Sequence, residues 1–118
     1  MAQDFERAVA FDSAGDVDIG TTARTVITSN SDDAVIGIRL TNVTTATIKA
    51  DVYITSTASG SSADSYIVKG APIAAGGSLE LIDGGAKIVL LSGDAVKAKS
   101  DTDASLNVWV SYIDSIST

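Results

Sequence analysis

"VIGIRLTNVTTATIKADVYIT", residues 35–55, alternates with a period of two on both sides of a short polar break. In the first half Ile36, Ile38 and Leu40 share one face, and Val35, Gly37 and Arg39 share the other. In the second half Ile48, Ala50, Val52 and Ile54 oppose Thr47, Lys49, Asp51, Tyr53 and Thr55. Successive side chains of an extended strand point to opposite faces, whereas a helix gathers apolar residues three and four apart, so both halves predict half-buried strands. The intervening NVTTA is short and polar enough for a hairpin connection, and 36–41 is therefore expected to pair antiparallel with 47–57.

The same vocabulary extends outward. Ser, Thr, Val, Ile, Ala and Gly dominate, and the usual helix formers Leu, Glu, Lys, Gln and Arg are scarce. Upstream, RTVITSN gives a first secure strand over 24–28, preceded by the irregular GDVDIGTTA. Downstream, STASGSSADS reads as an exposed loop of small residues, and YIVK as a short strand ended by GAPIAAGG, where Pro72 lacks a ladder donor and Gly76 and Gly77 permit a turn. SLELI follows as a strand with Leu79 and Leu81 on one face. KIVLL, apolar on both faces, reads as a strand buried between two layers. AVKAKS and LNVWVSYIDSI complete the series, punctuated by SGD and DTDAS. Seven or eight strands at this spacing predict an all-β fold, an antiparallel β-sandwich or jelly-roll-like single domain. The domain is expected over 23–118, with 1–22 as an N-terminal arm or irregular lead-in.

Composition restricts the function. The 118 residues carry 15 acidic against 8 basic side chains, a net charge of -7, which repels a nucleic-acid backbone or an anionic membrane surface. Histidine and cysteine are both absent, so the common nucleophile–base pairs, thiolate chemistry, disulfides and Cys-based zinc sites are excluded. Paired carboxylates remain, but glycosidase chemistry needs a sugar-holding cleft, and only 5% of the chain is aromatic. The chain reads as a non-enzyme without a cofactor. No apolar run approaches a membrane span or the core of a secretory leader, which predicts synthesis in a cytoplasm.

Three acidic pairs, Asp16 with Asp18, Asp32 with Asp33, and Asp101 with Asp103, offer oxygen ligands of the kind calcium takes, yet none matches an EF-hand loop, and Asp beside Ser, Thr and Gly is ordinary turn chemistry. They are read as turns, and no metal is assigned. Asn42-Val43-Thr44 has the form of a glycosylation acceptor and is read as coincidental. The last strand differs from the others. With Leu106, Val108, Val110 and Tyr112 toward the core, Trp109 and Ile113 point outward, and amphipathic aromatics on an outer face mark interfaces. Trp109 and Ile113, with Phe5 and Phe11 of the N-terminal segment, are the candidate interface residues.

The C-terminal half, YIVKGAPIAAGGSLELIDGGAKIVLLSGDAVKAKSDTDASLNVWVSYID, resembles small β-rich structural proteins of tailed bacteriophage virions, those of cyanobacterial phages included. The resemblance rests on an ordered series: an aromatic strand with Tyr66, Val68 and Lys69; the Ala71-Pro72 turn; Gly77 before Leu79; the strand of Lys87, Val89 and Leu90; Gly93-Asp94; and an apolar closing strand. It spans residues 52–114, and the strand pair before it fits the same plan. The resemblance implies a capsid decoration or a neck or tail accessory subunit, located in the virion, binding other virion structural proteins and forming a homo-oligomer. The alternative is a carbohydrate- or host-surface-binding sandwich in which Asp-bearing loops and Tyr53 or Tyr66 meet a glycan.

Overall fold

A computed structural model describes residues 4–10, 18–56, 63–82 and 87–116. Among these residues the chain is all-β. Nine strands run in order: β1 (Asp4–Ala10), β2 (Arg24–Thr28), β3 (Asp33–Asn42), β4 (Ile48–Ser56), β5 (Ala63–Ile73), β6 (Ser78–Glu80), β7 (Ile88–Leu90), β8 (Ala95–Ser100) and β9 (Leu106–Asp114). They form two antiparallel sheets packed face to face. One has the order β1-β9-β3-β6, with β7 also on β3; the other has the order β2-β8-β4-β5. The core between them is built from inward residues of both sheets, including Val35, Ile38, Leu40, Val108 and Val110 from the first and Ile48, Val52, Val96 and Ala98 from the second. The β-sandwich expected from the sequence is the fold.

The hairpin expected between 36–41 and 47–57 does not form. β3 pairs with β9, β6 and β7, while β4 pairs with β5 and β8, so the NVTTA connection crosses from one sheet to the other. Asn42 makes that crossing possible. Its side chain is fully buried, and its Nδ2 donates to the carbonyl oxygens of Ala46 (2.7 Å), Ile73 (3.0 Å) and Ala74 (3.2 Å). Its Oδ1 accepts from the Thr44 backbone N–H at 2.9 Å and the Thr44 hydroxyl at 2.7 Å. Ile73 and Ala74 open another sheet-crossing turn, from β5 to β6, where Gly76 adopts a φ of 68° and the Gly77 N–H closes onto the Ala74 carbonyl. One amide thus holds these two crossings together, and the Asn42 side chain of the acceptor motif is sealed inside the fold.

A second correction concerns phase. The β3–β9 register breaks between Val35 and Gly37, leaving Ile36 as the extra residue of a bulge. The bulge reverses the alternation, so Val35 is fully buried and Ile36 only partly. On β5 the strand does not stop at Gly70. Gly70 has a φ of 66° and sits with Lys69 opposite the single residue Asp51, whose Oδ1 accepts the Gly70 N–H at 2.6 Å. The bulge lets β5 continue through the edge residue Pro72 to Ile73. KIVLL is likewise not sandwiched between layers: β7 is a three-residue strand on the rim of β3, with Val89 and Leu91 exposed.

The segment expected as an arm or lead-in supplies structure to the sandwich. β1 pairs with β9 without interruption from Asp4↔Asp114 to Ala10↔Val108. Ile19 is fully buried and bridges Leu106. Most of the STASGSSADS loop lies outside the described residues.

Asn42→Ala removes both donors and the acceptor at once, stranding buried backbone groups whose desolvation costs about 1–3 kcal/mol each. The expected loss is roughly 3 kcal/mol or more of unfolding free energy, measured by urea denaturation. Asn42→Asp, which keeps the shape but turns a carboxylate oxygen toward three carbonyls, is expected to be at least as damaging.

Candidate functional site: the outer face of the five-stranded sheet

Cross-strand register builds rows of side chains across this face. The first row is Phe5, Ile113, Ala34 and Val89, drawn in order from β1, β9, β3 and β7. The next holds Arg7, Ser111 and Gly37, and the third Val9, Trp109, Arg39 and Glu80. Three large apolar side chains in these rows are strongly exposed: Phe5 at 78%, Val89 at 57% and Trp109 at 49%. The pleat dictates this arrangement: with Leu106, Val108 and Val110 buried, the intervening residues of β9 must face outward.

Polar groups surround the aromatic. The Arg7 guanidinium carbon lies 5.3 Å from the Trp109 ring centroid, a cation–π distance. Arg39 approaches Glu80 at 3.7 Å, and the other Glu80 oxygen accepts the Ile38 backbone N–H at 3.0 Å, on the β3 edge between the stretches that pair with β6 and β7. The floor of Gly37, which has no side chain, leaves a shallow groove of about 640 Å³ lined by Val9, Arg39, Glu80, Asn107, Trp109 and Ser111 among others.

Of the candidate interface residues, the structure brings together Phe5 and Ile113 as direct cross-strand partners, with Trp109 farther along β9 on the same face. Phe11 lies outside the described residues. Arg7, Val9, Arg39 and Val89 were missed. The alternation of β1 and β3 carried a signal for Arg7 and Arg39, but nothing local shows that β7 has one bare face.

The tyrosines expected to meet a glycan lie on the other sheet. Tyr53 is buried and packs against Tyr66 with ring centroids 5.0 Å apart, and the Lys69 ammonium sits 4.9 Å from the Tyr66 centroid. Tyr53 is thereby withdrawn from solvent, whereas Tyr66 keeps 42% of its surface exposed. Burial, followed by the charges of Asp64, Tyr66 and Asp51, raises the Tyr53 phenol above its ordinary pKa.

Several described acidic side chains serve as hydrogen-bond acceptors. Asp33 is buried, and its carboxylate accepts from the Ser29 hydroxyl (2.9 Å), the Ser31 hydroxyl (3.1 Å) and the Ser115 backbone N–H (3.1 Å). Asp101 accepts the Lys49 N–H, Asp103 the Thr21 hydroxyl, and Asp94 the Leu91 N–H. Asp16 lies outside the described residues, among which no cluster of three or more potential metal-ligating side chains occurs. Burial alone would favour the protonated form of Asp33, but its hydrogen-bond donors outweigh it and hold the pKa below the ordinary carboxylate value. Its neighbour Asp114 is pushed the other way, first by the hydrogen bond to Asp33 and then by loss of solvent. Tyr112, whose hydroxyl donates to Glu6 at 3.0 Å, is raised to about 12 by burial and by that carboxylate, and so stays protonated and ties β1 to β9.

No protein-family model matches the chain, and neither a curated protein nor a solved structure does. The functional reading therefore rests on the residues themselves.

The carboxyl pair gives a pH test. Asp33, with its lowered pKa, stabilises the fold above the unfolded value of 3.8 and loses that contribution as pH falls through its folded value. Asp114, with its raised pKa, stabilises while protonated and loses that contribution as pH rises through its folded value. Asp114→Asn supplies a permanent neutral donor. It is expected to raise the melting temperature at pH 7, with the advantage shrinking to nothing as pH falls below the carboxylate range; an equal shift at every pH would break the argument.

Proposed function

We infer that the protein is a structural subunit of a tailed-phage virion, a capsid decoration or a neck or tail accessory component that acts by surface contact without turnover. The observation that carries this reading is the apolar row Phe5, Ile113, Ala34 and Val89, open at Phe5 and Val89 and closed in its middle by the buried Ala34, set beside the exposed Trp109 and Arg7 on one sheet face. Contiguous apolar surface of this kind marks interaction sites in soluble domains, and aromatic residues with Arg are the side chains enriched there. Two further features support it. The Asp33, Asp51 and Asp94 carboxylates are engaged as acceptors for nearby backbone N–H groups, and the elements carrying the phage-protein resemblance take consistent structural roles: Gly77 in the β5–β6 turn and Asp94 closing the turn before β8. The net charge of -7 keeps such a subunit soluble before assembly.

The groove at Trp109 favours a second reading, a glycan-binding module. Its ring, Arg39, Glu80 and Asn107 are the apolar and hydrogen-bonding partners a sugar requires, and they lie on this sheet rather than around Tyr53 and Tyr66.

Trp109→Ser separates the readings. Supplied in place of the parent chain during infection, the variant is expected to reduce the amount of subunit in purified particles on the order of tenfold or more, as loss of a central aromatic anchor does. The isolated variant should still fold, losing only about 1 kcal/mol from the cross-strand contacts with Val9 and Arg7. Unchanged incorporation, together with Trp109-dependent signals on a glycan array, would favour the second reading instead.

A further inference from the structure

We propose that β1 is a strand-addition site for a second copy of the same chain, joining the two five-stranded sheets edge to edge through an antiparallel β1–β1 pair centred on Arg7. The inference stands on edge geometry and holds whether or not the chain serves in a virion.

Exposed sheet edges invite strand pairing, and proteins blunt them with short strands, bulges, proline and lysine. Three of the four edges here carry such devices. β5 has two register breaks, Lys69 and Pro72. β2 has five residues and a break between Thr25 and Ile27. β6 and β7, which share the rim of β3, have three residues each. β1 has no bulge and no proline: it is seven residues long, in unbroken register with β9, and its guards are the charges of Asp4, Glu6 and Arg7 alone. β2 approaches it across the sandwich without pairing, and among the described residues the side of β1 away from β9 has no strand partner. The charges flanking its centre are turned inward on their own sheet, Glu6 accepting the Tyr112 hydroxyl and Arg7 leaning over Trp109 of the neighbouring strand.

The outward side chains choose the occupant and the register. Phe5, Arg7 and Val9 read apolar, charged, apolar, a pattern that is symmetric about a two-fold axis perpendicular to the sheet. Centred on Arg7, each Phe5 lies opposite Val9 of the second copy, giving two apolar cross-strand pairs, and the two Arg7 side chains that meet at the axis are each drawn aside over Trp109 of their own sheet. Each pair extends a row already present: Ile113 and Phe5 of one copy continue into Val9 and Trp109 of the other. The neighbouring two-fold registers are worse. Centring on Glu6 places two Glu6 carboxylates face to face and Phe5 against Arg7; centring on Ala8 places Val9 against Arg7. The Phe5 ring, 78% exposed in the single copy, gains an apolar partner from the described residues in the first arrangement. Isologous pairing of this kind closes after two copies.

The chain has no cysteine, so single introduced cysteines report the register cleanly. Opposed residues of an antiparallel pair lie about 4.5–5.5 Å apart at Cα, within disulfide reach. The expected result is a dimer by light scattering at micromolar concentration, in which Arg7→Cys crosslinks to its symmetry mate several-fold faster than Glu6→Cys or Ala8→Cys under mild oxidation. Val9→Lys, which sets a charge opposite Phe5, should yield a monomer with the parent's near-ultraviolet circular dichroism. A parent chain that stays monomeric at hundreds of micromolar overturns the proposal. So does an oligomer in which Arg7→Cys stays reduced while Glu6→Cys, Ala8→Cys or Trp109→Cys crosslinks. Loss of particle incorporation in Trp109→Ser bears on the virion reading alone, because Trp109 lies one strand in from the proposed junction.

Discussion

The Asn42 carboxamide decides how the two sheets are connected. A sandwich requires the chain to leave one layer and enter the other, and each crossing interrupts the backbone ladder that would otherwise satisfy its peptide groups. Two of the crossings here, β3 to β4 and β5 to β6, are brought side by side so that one buried side chain donates to carbonyls of both and accepts from the first. A hairpin at NVTTA would have kept β3 and β4 in one layer. The asparagine supplies instead the hydrogen bonds that make an arch tolerable in a dry interior, where unpaired polar groups are costly.

The same economy governs the acidic residues. In a chain with 15 of them, a reader looks for chemistry or metal binding, yet Asp33, Asp51, Asp94, Asp101 and Asp103 each accept a hydrogen bond from a nearby turn, bulge or loop. Carboxylates suit this because they accept several bonds at once and tolerate irregular backbone. Where two of them meet, at Asp33 and Asp114, the donors around Asp33 keep it ionised and the proton preference moves to the more exposed partner.

What is left for interaction is surface. The sandwich core takes the inner faces, and on the four-stranded sheet Tyr53 is buried against Tyr66, which stays 42% exposed beside Lys69. The five-stranded sheet leaves Phe5, Val89 and Trp109 open to solvent, beside an edge strand in unbroken register with its neighbour. The face and the edge adjoin at β1, and so the apolar row has a direction in which it can be extended.

The alternation of residues 35–55, the scarcity of helix formers and the glycine-marked turns were enough to establish strands, a layered all-β fold and the outward placement of Trp109, because strand periodicity is a property of consecutive residues. Absence of histidine and cysteine likewise needs no structure. Tertiary structure alone decided that β3 and β4 part company, that a bulge at Ile36 exchanges the faces of Val35 and its neighbours, and that the N-terminal segment joins the sheet. It also decided that Val89, which periodicity assigns to a doubly covered strand, stands at a rim. Strand partners are chosen between residues far apart in the chain, by hydrogen bonds such as those of Asn42 and by which edges remain free, and local pattern carries no record of either.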